Sequence, residues 1–191
     1  MLLRSLTWLV LFVVLAGCGE SAPKPAPTPT AELEALTVHE THARDFAIDG
    51  VSFKTTEAEF RRSKKIVGDD SPKADSEKLS FKSETGDNIT VGFYEGNVTD
   101  ITVWYNKERL EAMGGVKTLT NQLVNKFGEP NNHNETLTAW TFSKLDRLIM
   151  LSDFGSTVTV IVQDPLLCEK ASNAADEAKE AAQRKVKTGL E

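Results

Sequence analysis

The stretch VKTLTNQLVNKFGEPNNHNETLTAWTF, residues 116–142, carries the signals that decide the fold. Over residues 116–127 the apolar side chains recur every three or four positions, as they do on one face of a helix. Gly128 can adopt the left-handed conformation that caps a helix, and Pro130 prevents the helix from continuing. A strand is expected next, over residues 137–142. The stretch therefore predicts a helix, a sharp end and a strand.

Two further strands are predicted after this one, over Arg147–Ser152 and Val158–Gln163, with a turn at Gly155-Ser156 between them. Both contain apolar residues on both faces, which indicates a central pair covered on both sides. Within this half, Phe127 and Trp140 are expected to be buried where the helix meets the sheet.

The first half of the chain gives a similar succession of signals. Thr56 and Glu59 form an S/T-x-x-E capping box. The helix that this box opens is predicted to end at Ile66-Val67, with Gly68 as its cap. Three strands are expected to follow, over Lys78–Lys82, Asn88–Tyr94 and Val98–Tyr105. The last two of these strands form a hairpin.

The register of this hairpin depends on which side chains share a face. A two-residue turn at Gly96-Asn97 places Val91 across from Thr102, and so mixes apolar with polar residues. A three-residue loop, Glu95-Gly96-Asn97, keeps the apolar residues together, and we therefore expect that loop. The pairs that it predicts are Ile89 with Val103, Val91 with Ile101 and Phe93 with Thr99.

The two halves show a weak internal repeat. Gly68 matches Gly128, Ile89 matches Ile149, and Val98, Thr99 and Ile101 match Val158, Thr159 and Ile161. We expect an α+β fold of two tandem α-β-β-β units, residues 45–105 and 106–165, in which an antiparallel sheet has its helices on one face. The second unit opens with a short helix over Lys107–Met113, closed by Gly114-Gly115. Residues 166–191 are expected to form an Ala-rich helix outside this pattern.

The N-terminus predicts where the protein is located. Arg4 precedes a predominantly apolar run, Leu6–Ala16, and small residues then lead to Cys18. This is the pattern of a secretory signal, and the run is too short to cross a membrane, which takes about 20 residues. Leu15-Ala16-Gly17-Cys18 resembles the lipobox of bacterial lipoproteins, in which the cysteine is lipidated and becomes the new N-terminus. A plain signal peptide and a retained anchor helix are the alternatives.

The lipobox resemblance implies a signal peptide at residues 1–17 and a lipidated Cys18, which carries palmitate or similar chains into the membrane. Residues 18–44 are assigned to the lipidated cysteine and a tether, because prolines alternate with other residues from Pro23 to Pro29. The expected location is the bacterial cell envelope, with the chain anchored by lipid. Gly19 after the cysteine implies the outer membrane, facing the periplasm, if the bacterium has two membranes.

The charge of the chain limits its partners. The formal net charge is −6, and no basic tract is present. Nucleic acid is bound through Lys and Arg, so no nucleic-acid partner is expected. Attachment to the membrane is expected to come from the lipid itself. With Cys18 lipidated, Cys168 has no partner in the chain; burial is the default for such a thiol, and pairing with another chain or with Cys18 is the alternative.

One short passage suggests a family. Gly128-Glu129-Pro130 follows a predicted helix, and Trp140 lies on the next strand. With the tandem units, the lipobox and the tether, this resembles the small outer-membrane lipoproteins of the SmpA/OmlA (BamE-like) type and the architecture of the β-lactamase-inhibitor protein. The resemblance covers residues 45–164. It implies a protein that serves in envelope assembly or binds another protein, without a catalytic site.

The chain contains few residues suited to catalysis or metal binding. His39 and His42 are one helical turn apart and could supply two metal ligands, but zinc needs three or four. We expect them to be solvated residues beside the tether. His133 lies in a polar loop with no nucleophile arranged beside it. We expect no metal, no cofactor and no enzymatic activity; the alternatives are a metal-binding protein or hydrolase that uses His39, His42, His133 or Cys168, or an inhibitor of an envelope enzyme.

The first hairpin suggests where a protein partner binds. With the expected register, the face opposite Val91 is largely polar, except for Tyr94 and Trp104. Large aromatic residues on a polar surface are enriched among interface hot spots. We therefore predict that Tyr94 and Trp104 contact an envelope protein. The alternative is that the Ala-rich helix or the tether covers them.

Overall fold

A computed structural model of the chain describes residues 36–69 and 76–188. The lipobox, Cys18 and the prolines of the tether lie outside the described residues. The elements are α1 (Val38–Arg44), β1 (Ala47–Ile48), β2 (Val51–Ser52), α2 (Glu57–Ser63), β3 (Ile66–Asp69), β4 (Ser76–Lys82), β5 (Asn88–Tyr94), β6 (Asn97–Trp104), α3 (Lys107–Ala112), α4 (Gly115–Phe127), β7 (Asn132–His133), β8 (Leu137–Phe142), β9 (Arg147–Asp153), β10 (Val158–Gln163) and α5 (Pro165–Thr188).

The fold is α+β, as the sequence predicts, and its two halves share one antiparallel sheet. The order of the eight strands is β3-β4-β5-β6-β10-β9-β8-β7, so the last strands of the two halves pair at the centre. Val103 pairs with Val160, and Ile101 pairs with Val162. Each half contributes four strands, because a short edge strand, β3 or β7, precedes the three predicted ones. The pairing of β6 with β10 makes the two halves one folding unit.

Local sequence signals predicted most helix starts correctly. The capping box of Thr56 and Glu59 is present, and a second one, Thr37 with Glu40, opens α1 within the stretch assigned to the tether. The predicted end of α2 is wrong: the helix ends at Ser63, and Gly68 lies in β3 instead of capping a helix. Ile66 is β-branched and pairs with Phe81, and this sheet pairing outweighs continuation of the helix.

The C-terminus of α4 depends on a glycine, as predicted. Gly128 has φ of +80°, which residues with a side chain rarely adopt, but its ψ of −167° lies outside the left-handed helical region. Trp140 donates a hydrogen bond from Nε1 to the Gly128 carbonyl oxygen at 2.7 Å. The helix end is thereby joined to strand β8.

The first hairpin contains a β-bulge that the sequence analysis did not foresee. The pairs Ile89–Val103 and Val91–Ile101 are confirmed, but Phe93 pairs with Val98 and not with Thr99. The three-residue loop is therefore wrong: the turn has two residues, Glu95 and Gly96, with φ of +50° and +76°. The extra residue is accommodated within β6 as a bulge beside Thr99 and Asp100. Apolar residues still share a face, as the register argument required.

The bulge also limits the internal repeat. Val98 and Val158 are both buried, in keeping with their match. Beyond the bulge the two strands are out of phase, so that Ile101 is fully buried whereas its match Ile161 lies on the opposite face and is half-buried. Gly68 and Gly128 also differ, since one is in a strand and the other ends a helix.

The core lies between one face of the sheet, here called the inner face, and helices α1 to α4. Phe60 of α2 packs against Phe81 and Phe93, with ring centroids 5.5 and 5.3 Å apart. In the second half, the ring centroids of Phe127 and Trp140 are 6.2 Å apart. Phe127 is 2% exposed and Trp140 1% exposed, so the predicted burial of both is confirmed.

The C-terminal helix lies on the other face of the sheet, here called the outer face. Helix α5 contacts β4, β5 and β6, and after Ala175 its described side chains, to Arg184, are exposed. Within residues 36–69 and 76–188, no helix has both the length and the apolar character needed to span a membrane. The prediction of an Ala-rich helix outside the repeated pattern is confirmed.

The packing of Phe127 against Trp140 gives a test of the core. Changing either residue to Ala is expected to lower the free energy of unfolding by about 3–5 kcal/mol, because it leaves a cavity where helix and sheet meet. Phe154→Ala is the matched control, since Phe154 is 67% exposed and is expected to lose less than about 1 kcal/mol. Urea denaturation measures all three. Losses below about 1 kcal/mol for both core variants would show that this packing is wrong.

Candidate functional site

Tyr94 and Trp104 lie on the outer face, as predicted, but they are not neighbours. Trp104 is opposite Asn88 at the start of β5, and Tyr94 ends that strand. Along β5, the position opposite Trp104 is six residues from Tyr94, which corresponds to about 20 Å. Trp104 is 45% exposed, whereas Tyr94 is half-buried. A single partner contact centred on both aromatics is therefore not what the geometry supports.

Trp104 belongs instead to an uncharged surface that continues across the second half of the sheet. The register places it in one row with Thr159, Ser152 and Leu137. Here the term open face denotes the outer side of β6 beyond Asp100, together with the outer sides of β10, β9 and β8. Its larger apolar side chains are Trp104, Leu137, Leu148, Met150 and Ile161. All except Trp104 are half-buried.

The open face is only partly what the sequence predicted. Apolar residues on both faces of β9 and β10 indicated a central pair covered on both sides. These strands are central, but Met150 and Ile161 keep part of their surface in water. The signal that could have located this surface is the absence of charge from the outward positions of β8, β9 and β10.

The bulge in β6 fixes the helix that borders the open face. The Thr99 carbonyl oxygen accepts a hydrogen bond from the Asp164 backbone N–H at 2.8 Å. The Cys168 thiol lies 3.5 Å from the same oxygen. Asp164 also caps α5, because its Oδ1 accepts from the Leu167 backbone N–H at 3.0 Å. The start of α5 is thus held against the middle of β6.

Asp164 further connects α5 to the inner side of the sheet. Its Oδ2 lies 3.8 Å from Nη1 of Arg147, whose side chain is only 10% exposed. The Arg147 guanidinium stacks over the ring of Phe53 at 3.5 Å, and among the described residues its Nε and Nη1 have no hydrogen-bond partner. Burial lowers the pKa of Arg147, and the neighbouring carboxylate of Asp164 opposes that shift. The sequence analysis did not single out this pair.

A cavity of about 250 Å³ lies beside α5, at the Tyr94 end of the outer face. The sheet side of its wall includes Lys78, Gly92 and Asp100, and the helix side includes Cys168 and Ser172. Asp100 lies over Gly92, where a Cβ would be 2.2 Å from its Oδ1, so only glycine fits there without a shift.

Cys168 is a free thiol in this cavity. Burial, with a smaller contribution from the carboxylates of Asp100 and Asp164, raises the pKa of Cys168 to about 11. A thiol of this kind is protonated at neutral pH and is a poor nucleophile. The expected burial of Cys168 is borne out only in part, since some of its surface is exposed.

His39 and His42 are exposed, as the sequence predicts, and each also has a structural partner. Their Nδ1 atoms lie 3.0 and 2.8 Å from one acceptor, the carbonyl oxygen of Lys126 in the last turn of α4. The ring of His39 also lies against Gly128, where a Cβ would be 3.1 Å away. The two histidines therefore bind α1 to the end of α4, which helix geometry leaves without backbone partners.

The residues proposed for catalysis or metal binding do not converge. Nδ1 of His133, on the edge strand β7, lies 2.8 Å from the Thr138 hydroxyl. Cys168 contacts Thr99 on β6, four strand intervals from β7, or about 19 Å. Within the part of the chain that the structure describes, no three His, Cys, Asp or Glu side chains are grouped as a metal site requires.

Comparison with known proteins found no family model, no curated protein and no solved structure that matches this chain.

The raised pKa of Cys168 predicts a pH dependence of stability. The unfolded thiol loses its proton near 9.0 and the folded one near 11, so the folded state is favoured below pH 9 and this contribution is lost as the pH rises to 11. The loss is on the order of 1–2 kcal/mol, allowing for partial exposure. Urea denaturation at pH 8 and pH 10.5 measures it, with Cys168→Ser as the control. An equal fall in both proteins would contradict the burial of this thiol.

Proposed function

We propose that this chain is a lipid-anchored, non-catalytic protein-binding module of the bacterial cell envelope. The observation that carries the proposal is Trp104, which is 45% exposed on a surface whose neighbouring outward positions are uncharged. Aromatic residues and a lack of charge characterise the centres of protein interfaces. A tryptophan kept partly in water on such a surface is suited to bind a partner.

The location follows from the sequence. The lipobox at Leu15-Ala16-Gly17-Cys18 supplies the anchor, and the prolines after it supply a spacer. An anchor lowers the affinity that the contact needs. A domain held at the membrane meets other envelope proteins at a high effective concentration, so that a small binding surface suffices.

Enzymatic activity has less support. Cys168 is partly buried with a raised pKa, and His133 is several strands away from it. The side chains of His39 and His42 contact a helix end. We therefore assign the chain a binding function and no catalytic residues, metal or cofactor.

The proposal makes two linked predictions for the full chain in its own envelope. Cys18→Ser is expected to move the protein from the membrane pellet to the soluble fraction, because the anchor is the lipid and not residues 6–16. Trp104→Glu is expected to leave the protein in the pellet but to abolish its crosslinking to a partner with a lysine-reactive reagent. Fractionation and immunoblotting measure both.

Val67→Glu is the matched control for Trp104→Glu, since Val67 is 59% exposed on the edge strand β3, far from Trp104. It adds the same charge and is expected to leave crosslinking unchanged. Melting temperatures of the three proteins exclude unfolding. Retention of Cys18→Ser in the pellet would contradict the anchor, and undiminished crosslinking of a folded Trp104→Glu protein would contradict the binding surface.

A further inference from the structure

Helix α5 is attached to the sheet differently from the other helices. Each of α1 to α4 places at least one buried side chain in the core, such as Phe60 of α2 and Phe127 of α4. In α5, none of the side chains described from Pro165 to Arg184 is buried. Those that line the cavity on the sheet include Cys168, Ala171 and Ala175, which are small. Because small side chains remove little apolar surface from water, packing stabilises the docked helix only weakly.

The surface beneath α5 is not close-packed against the helix. The cavity of about 250 Å³ is bounded by the helix on one side and by the strands on the other. Three charged side chains of the sheet, Glu77, Lys78 and Asp100, contribute to its wall. Charged groups are costly to take out of water, so a helix cannot seal this space at little cost. The interface between α5 and strands β4 to β6 is therefore partly polar and loosely packed.

The attachment of α5 is concentrated at its first turn. Asp164 continues strand β10, whose last residue Gln163 pairs with Asp100. The backbone N–H of Asp164 donates to the Thr99 carbonyl oxygen at 2.8 Å, which fixes this residue to the sheet. Its Oδ1 accepts from the Leu167 backbone N–H and caps the helix. The start of α5 is thus held by hydrogen bonds to the sheet and within the first turn.

The second half of α5 does not strengthen this attachment. After Ala175 its described side chains are exposed. Lys179 forms an ion pair with Asp176, and Arg184 forms one with Glu180, both within the helix. Such pairs support the helix itself and not its contact with the sheet. Helix α5 is therefore held firmly at one end and weakly along its length.

We propose that α5 is a releasable strap, which detaches from β4, β5 and β6 as a unit and pivots at Asp164-Pro165 while the sheet and helices α1 to α4 stay folded. Elements with few buried contacts open at a lower free energy than the core does. Release uncovers the outer sides of β4, β5 and β6, which then continue the open face. This inference concerns the chain's own conformations and does not rest on the proposed binding function.

Native-state hydrogen exchange of the full chain in detergent micelles, followed by NMR, tests the release. A released helix exchanges its amide hydrogens readily, because most helical stability in proteins comes from tertiary packing. The amides from Cys168 to Ala175 are expected to share one protection factor, at least about tenfold below that of the amides in β6 and β10. The Asp164 amide is the internal control, since it bonds to Thr99 on the sheet side of the pivot and is expected to be protected like β10.

Three results would overturn the proposal. Protection of the amides from Cys168 to Ala175 equal to that of β6 and β10 would show that α5 opens only when the whole fold does. Protection that falls steadily from Cys168 to Ala175 would show that the helix frays from its C-terminus and is not released as a unit. An Asp164 amide as weakly protected as those of α5 would exclude a pivot at this residue.

Variants of Asp164 test whether the first turn holds the strap. Asp164→Ala removes the cap and is expected to lower the protection of the α5 amides about fivefold. Asp164→Asn also removes the charge that faces Arg147 but keeps an oxygen for the Leu167 N–H, and is expected to leave protection within about twofold. Asp176→Ala is the matched control, an identical change at an exposed position within the helix. Equal protection in Asp164→Ala and Asp176→Ala would overturn attachment through the first turn.

Discussion

One extra residue in strand β6 determines the arrangement of the rest of the structure. The bulge beside Thr99 and Asp100 lets Val98 and Ile101 both face the core, although their spacing does not suit a regular strand. It also leaves the Thr99 carbonyl oxygen available to the start of α5, where it accepts from the Asp164 backbone N–H and lies near the Cys168 thiol. The same residue therefore keeps the inner face apolar and sets the position of the helix on the outer face.

As a result, the two faces of the sheet are covered to different extents. The inner face is covered by helices α1 to α4 and contains the aromatic contacts of Phe60 and Phe127. Of the elements within residues 36–69 and 76–188, only α5 packs on the outer face; it starts after β10 and runs over β6, β5 and β4, away from β9 and β8. Trp104 and Met150 remain partly in water for that reason. The open face thus arises from where the helix begins, and no special motif is needed to form it.

The sequence predicted the elements well and their exact ends less well. Repeating patterns identified α4, β8, β9 and β10, because a long amphipathic or β-rich segment gives the same signal wherever it packs. The end of α2 and the turn at Glu95 and Gly96 could not be derived, since both depend on pairing with strands distant in sequence. The exposure of Trp104 could not be derived from the sequence either, because it depends on the path of α5. The alternation of the strands predicts the correct face for Tyr94 and Trp104, and their rows are six residues, or about 20 Å, apart.

The central claim is that α5 is anchored at the bulge and does not extend over the open face. Nuclear Overhauser effects from the methyl groups of α5 test it most directly. The account predicts effects between the Ala171 methyl and the α-protons of Gly92, which line the same cavity. It predicts none within the chain from any α5 alanine to the methyl groups of Met150 or Ile161. Intrachain effects to Met150 or Ile161 would mean that α5 covers the open face, and would contradict the account.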